Sequence, residues 1–355
     1  MRINFMRRSD FWPLVIVVIA AFLRFAFLTE IEHNVDHAYP IWQALRTLEH
    51  GEWPLIGQGT WNMERDRGKD VVAALEAEVR RMLADPRSFA LASSFAHQWL
   101  HLDKIADLEP DPNIFPYAAN HRLVLGSDAD PRRDLIEETE RFVDMIFRDD
   151  RSVVELLSAR DTVLNERAAM HYGIDTVKGS RFRRVDLEDS SRFGLLGKAA
   201  VLMRTSYGDR TSPVLRGAWV LEKLLGTPPA PPPPNVETDL STPEGEKPKT
   251  IRARLEAHRE SDSCNGCHGV IDPYGLALEN FTVTGEWRDV DREAGAPIDA
   301  RAVLPGGTAI EGPVELRQAL LRRPDQFVLA LTQKLTMYAL GRELEHFDMP
   351  QVRAV

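Results

Sequence analysis

The sequence predicts a mainly α-helical chain: an N-terminal transmembrane helix, a helical domain, a proline-rich linker and a small helical module with a minor β-hairpin. Three observations predict it. From about Asp70 onward apolar residues recur at spacings of three and four, the period of one helix face. Thr227 to Thr250 holds eight of the 23 prolines, four of them consecutive at Pro231 to Pro234, and divides the chain. Beyond that divide lies Cys264-Asn265-Gly266-Cys267-His268, which contains the only two cysteines.

The first segment, 1–60, reads as a membrane anchor and an outer connection. Arg2, Arg7 and Arg8 precede an 18-residue apolar run, Phe11 to Leu28, interrupted by one charge, Arg24. That length just suffices to cross a bilayer. Basic residues before the run, and Glu30, Glu32 and Asp36 after it, place the N-terminus inside and the rest of the chain outside. No small-x-small cleavage site follows the run, so an uncleaved single-pass anchor in the cytoplasmic membrane is expected, with the bulk of the chain in the periplasm.

Residues 61–190 read as a helical domain. Val71, Leu75, Val79 and Met82 mark one helix, closed by Asp85-Pro86. Leu91, Phe95, Trp99 and Leu102 mark a second. Leu135, Phe142, Met145 and Ile146 mark a third, opened by Asp130-Pro131. Short helices follow at Val153 to Leu157 and Glu166 to His171. His97, His101 and His171 sit among these stripes and read as structural histidines.

Residues 191–226 change in texture. Thr205-Ser206-Tyr207-Gly208-Asp209-Arg210-Thr211-Ser212-Pro213 is a polar loop, and Arg216 to Leu221 reads as the start of a helix. Arginines beside hydroxyls suit a carboxylate such as a haem propionate, which makes Arg210, and Arg288 further on, candidate cofactor contacts. The linker, 227–250, begins as extended polyproline over about 20 Å, at ~3.1 Å per residue.

The segment 251–300 carries the chemistry. A helix from Ile251 to Arg259 leads to the C-x-x-C-H run, and Gly269 to Gly275 reads as a loop. Two thiols three residues apart can add across the two vinyl groups of a haem, and the histidine that follows can ligate the iron. Redox dithiols share the C-x-x-C spacing but open a helix within a strand-helix-strand unit, which is not the pattern here. A zinc finger needs two more ligands at short spacing, and the only later histidine is His346. One covalent haem c, held by Cys264 and Cys267 with His268 as proximal ligand, is therefore expected. A backbone carbonyl between Ile271 and Tyr274 is expected to accept the other ring proton of His268. Met337 and Met349 are the candidate sixth ligands.

The last segment, 301–355, contains a hairpin signal within Ile298 to Ile310 and a strong helix from about Pro324 to Leu344. A helix closing over the haem helix suits a c-type-cytochrome-like module. With 43% hydrophobic residues the chain can build a sizeable core, and its net charge of −10 excludes nucleic acid as a partner. The expected partner is an unidentified redox protein. Rival readings are a haem enzyme of peroxidase or oxidase type, using Arg204, Arg210 or His258 at an open sixth site, and a partner-binding scaffold with structural haem.

Several motifs carry a resemblance. Leu83-Ala84-Asp85-Pro86, Phe95-x-x-x-Trp99-Leu100, Asn165-Glu166-Arg167 and His171-Tyr172-Gly173-Ile174 resemble one module. Arg210-Thr211-Ser212-Pro213-Val214-x-Arg216-Gly217, the proline run, the C-x-x-C-H and Asp272-Pro273-x-Gly275-x-Ala277-Leu278-Glu279-Asn280-Phe281 resemble a second. Tyr338-Ala339-Leu340-Gly341-Arg342 resembles a third. Together they are similar to the large cytochrome-like proteins of planctomycetes, built of modules of unknown function. The resemblance spans about Asp70 to Val355 and implies export and a c-type haem, but no particular reaction. In that family the helical module begins earlier and the final module runs further. Ile31 to Gly59 instead resembles the first outer loop of many-helix membrane glycosyltransferases, so a partial member fused to an unrelated N-terminal membrane segment is expected.

Overall fold

The computed structural model describes residues 77–111, 130–231 and 249–354. The expected membrane helix and most of the proline-rich linker lie outside the described residues. Among the described residues no helix is long and apolar enough to cross a membrane. The described residues are mainly helical, with three small two-stranded antiparallel pairings among them. The chain divides into two compact units, Ala92–Leu331 and a second made of Met1–Leu91 with Thr332–Val355.

The larger unit begins within α1, Phe89–Leu100, whose Phe95, Ala96, Trp99 and Leu100 are buried at the predicted spacing. The Trp99 indole donates to the Lys223 carbonyl at 3.1 Å. Helix α2, Pro131–Arg148, starts where an N-cap predicts it: the Asp130 carboxylate accepts from the Arg132 amide, and Pro131 fills the first helical position. Short helices α3, Glu155–Ser158, and α4, Glu166–His171, flank strand β1, Asp161–Leu164. Strand β1 pairs with β2, Arg183–Asp186, in the register Asp161 to Asp186 through Leu164 to Arg183. The periodicity contains no signal for this pair, since most of β2 is exposed and carries no apolar alternation.

Two short helices follow. Helix α5, Ala199–Arg204, is almost wholly buried. Helix α6, Pro213–Trp219, is capped by the Ser212 hydroxyl, opened by Pro213, and followed by one π-turn over Val220–Leu224. Beyond the linker come α7, Ile251–His258, and α8, Asp262–Leu276. The pairs β3, Val290–Asp291, with β4, Ala296–Pro297, and β5, Ala302–Val303, with β6, Ala309–Ile310, follow. The second of these pairs is the expected hairpin. Helix α9, Pro313–Leu321, and the first part of α10, Pro324–Leu340, complete the unit.

In the other unit, residues 77–84 are helical and Asp85 caps the tight turn at Pro86–Ser88. The last turns of α10 end at Gly341, whose φ of 63° is the left-handed conformation that terminates helices. Arg342 then grips Asp348 through two hydrogen bonds, at 2.7 and 2.9 Å, beside α11, Met349–Ala354. The motif Tyr338 to Arg342 is thus a helix stop and an anchor for the next helix.

Candidate haem-attachment site

Helix α8 has two halves of opposite character. Its first two turns, from Asp262 to Cys267, are largely exposed, and Val270 remains 43% exposed; from Ile271 to Leu276 every residue is buried. Cys267 is exposed, Cys264 partly so, and neither forms a disulfide. A side chain added at Gly266, between them, would meet nothing within 4 Å. The thiols therefore stand on an open face, and the adjacent His268 is partly buried.

The Nδ1 of His268 lies 2.9 Å from Oδ1 of Asp272, which is wholly buried. An ionised carboxylate only accepts, so Nδ1 carries the proton and the Nε2 lone pair is left for a metal. This corrects the expectation of a backbone carbonyl partner. The reason is that Gly269 to Gly275 continues as helix rather than loop, so residues four apart share a face and Asp272 stands beneath His268. Arg259 Nε is 3.9 Å from the other oxygen of Asp272, and the His258 ring meets the His268 ring edge-on at 4.8 Å. His258, expected as a possible polarising group, is thus a neighbour of His268.

The residues fit a covalently attached haem. Two unpaired thiols, an exposed helix face and a histidine whose Nδ1 is anchored and whose Nε2 makes no hydrogen bond form the donor set that the group requires. Zinc fits less well: among the described residues no group of three or more His, Cys, Asp or Glu side chains is placed to hold a metal ion.

The buried half of α8 is locked against α6 at very short range. A Cβ at Gly275 would lie 1.7 Å from the Pro213 carbonyl oxygen, and one at Gly217 would lie 2.0 Å from that of Ile271. Only hydrogen fits at either position. Arg216, wholly buried, donates to the carbonyls of Leu278 and Phe281 at 2.6 and 2.8 Å and to that of Thr282 at 2.8 Å. These carbonyls follow the end of α8; those of Leu278 and Thr282 also accept turn hydrogen bonds from the Phe281 and Gly285 amides, and the guanidinium ties all three together. Glu279, also buried, accepts from Thr211 and from Arg288. Burial pushes the Arg216 guanidinium down and the Glu279 carboxyl up, and their attraction across 3.8 Å offsets this desolvation only in part.

Arg288 also donates to Thr211 Oγ1 at 2.9 Å, so it closes this clasp. Arg210 pairs with Asp209 at 3.0 Å and lies over the Tyr207 ring at 4.6 Å. Neither arginine bonds to the C-x-x-C-H run. Arg204 donates to the His101 carbonyl at 3.1 Å. Met337 and Met349 belong to the other unit, where the Met349 sulfur accepts from Gln333 at 3.9 Å. His97, His101 and His171 are engaged as structural residues, with Glu140, Lys223 and the Thr284 carbonyl respectively.

A second buried network escaped the sequence reading. Lys198 donates to Glu138 at 3.0 Å and to Thr162 at 2.6 Å, while Tyr172 donates to the other Glu138 oxygen at 2.6 Å and accepts from the Ala199 amide at 2.9 Å. Lys198 and Glu138 are both fully buried, and desolvation pushes the lysine down and the tyrosine up. The signal was present: Glu138 falls within the Leu135 to Phe142 apolar stripe, and a charge there implies a buried partner.

The site defines a class of protein, a chain of helical modules one of which carries a C-x-x-C-H helix. Residues 70–174, 192–291 and 306–355 match three families, each described as a protein of unknown function: DUF1592, DUF1588 and DUF1585 respectively. These are modules of the planctomycete cytochrome-like type, and the chain carries all three. No curated protein and no solved structure matches it.

Proposed function

We propose that this chain is a membrane-anchored, extracytoplasmic cytochrome-like protein that carries one covalent haem c and passes electrons to a redox partner. One observation supports this above all. Two unpaired thiols stand on the exposed half of α8, and the next residue is a histidine whose Nδ1 is anchored to a buried carboxylate and whose Nε2 makes no hydrogen bond. Cys264 and Cys267 hold the haem through thioether bonds and His268 ligates the iron. The bound haem supplies the one-electron chemistry. The protein's own residues orient the imidazole and fix the attachment helix against α6.

The test is haem staining on a denaturing gel after expression with a cytochrome c maturation system. Covalent haem is expected in the wild type. It is expected to vanish when Cys264 and Cys267 are both replaced by Ala, because axial ligation does not survive denaturation and thioether bonds do. Staining that persists in the double variant refutes the assignment.

A further inference from the structure

The support of the proximal histidine is a charged group, and its surroundings leave that charge concentrated. Building on the haem reading above, we propose that Asp272 is a positioning residue that makes His268 a strongly donating ligand, and so holds the haem at a lower reduction potential than a carbonyl-supported histidine would.

Three features of the structure carry this. The His268 Nδ1 to Asp272 Oδ1 distance of 2.9 Å is a full hydrogen bond, and Asp272 is completely buried. Its second oxygen, Oδ2, is buried without any hydrogen-bond donor. A buried oxygen in that state calls for an explanation, since such groups are few in native proteins. Arg259 Nε at 3.9 Å gives partial charge compensation but is beyond hydrogen-bond reach. A carboxylate held by several donors would divide its acceptor strength among them. Among the described residues the imidazole N–H is its only hydrogen-bond donor.

The consequence is electronic. Pulling the Nδ1 proton toward a carboxylate raises the basicity of Nε2, as for metal-ligating histidines in general. A more basic nitrogen stabilises ferric iron, which carries one more positive charge than ferrous iron. Hydrogen bonding around the axial ligand is among the levers by which proteins set haem potentials. The local sequence enforces the arrangement. His268 and Asp272 share a face of α8, and the buried turn that follows is pinned by the contact of Gly275 with Pro213, so Asp272 cannot swing away.

The test uses the full chain, matured with haem. Asp272→Asn keeps the shape and an acceptor oxygen but removes the charge. It is expected to shift the one-electron reduction equilibrium at least tenfold toward the ferrous form, a rise in midpoint potential of about 59 mV, and to lower the iron–histidine stretching frequency. Asp272→Glu should recover part of the shift, and Arg259→Gln should move the potential the opposite way. A haem-bearing Asp272→Asn protein with unchanged potential and stretching frequency overturns the proposal. A second arm needs neither a variant nor haem: in the wild-type apo chain labelled with nitrogen-15 histidine, His268 is expected as the Nδ1–H tautomer. An Nε2–H or mixed tautomer also overturns it. Failure to attach haem would instead count against the haem reading and leave the tautomer result to decide the role of Asp272.

Discussion

At the scale of single residues, the buried polar groups set how stability depends on pH. His171 donates through Nε2 to the Thr284 carbonyl at 2.7 Å, and desolvation lowers its pKa from the usual 6.5. Below pH 6.5 the unfolded chain binds a proton that the folded chain refuses. Its contribution to stability is therefore full above pH 6.5 and is lost on acidification, by at most about 1.4 kcal/mol per pH unit for one group. His101, lowered first by burial and then by Lys223, adds in the same direction. Denaturant midpoints are expected to fall between pH 7.5 and pH 5.5. The His171→Asn variant should show a shallower fall, and an identical slope would exclude His171 as a contributor. The Lys198–Glu138 pair belongs to the same scale. It is a strut whose members are inaccessible to solvent, and losing one partner would strand a buried charge.

At the scale of elements, the α6–α8 crossing matters most. Replacing Gly275 by Ala would place a methyl group 1.7 Å from the Pro213 carbonyl oxygen, so one backbone must move. A loss of about 3 kcal/mol is expected, at the upper end for overpacked cores. Replacing Gly266 by Ala on the open half of the same helix meets nothing, and should stabilise the chain by up to about 1 kcal/mol through helix propensity alone. Urea unfolding of the two variants compares them directly, and equal effects would contradict the short approach of α6 to α8. The clasp of Arg216, Glu279, Thr211 and Arg288 ties the start of α6 to the segment after α8. Each supplies the partners that the other buries.

At the scale of the whole molecule, the three matched modules join a helical segment, the C-x-x-C-H segment and a terminal helical segment in one chain. The proposed export rests on Arg2, Arg7 and Arg8 before the apolar run and on acidic residues after it. A reporter that functions only in the cytoplasm, fused after Val355, should be silent. Activity from that fusion would reverse the proposed orientation and remove the route by which a c-type haem is attached.

The sequence by itself determined the helical class, the cap at Asp130, the starts of α2, α7 and α10, and the C-x-x-C-H run. These depend on local chemistry: periodicity, a side-chain oxygen at a helix start, and two thiols one turn apart. Tertiary structure decided whether Gly269 to Gly275 is loop or helix. Two glycines and Pro273 argue locally for a break. The helix persists because α6 lies so close that only glycine fits at position 275, and burial along that contact outweighs poor helix propensity. That one outcome brings Asp272 beneath His268 and replaces the expected carbonyl with a carboxylate. The partners of Glu138 and the carbonyl partners of Arg216 were hidden for the same reason, since Thr162, Tyr172 and Lys198 lie 24, 34 and 60 residues from Glu138, and Leu278, Phe281 and Thr282 lie 62, 65 and 66 residues from Arg216, and only packing brings them together.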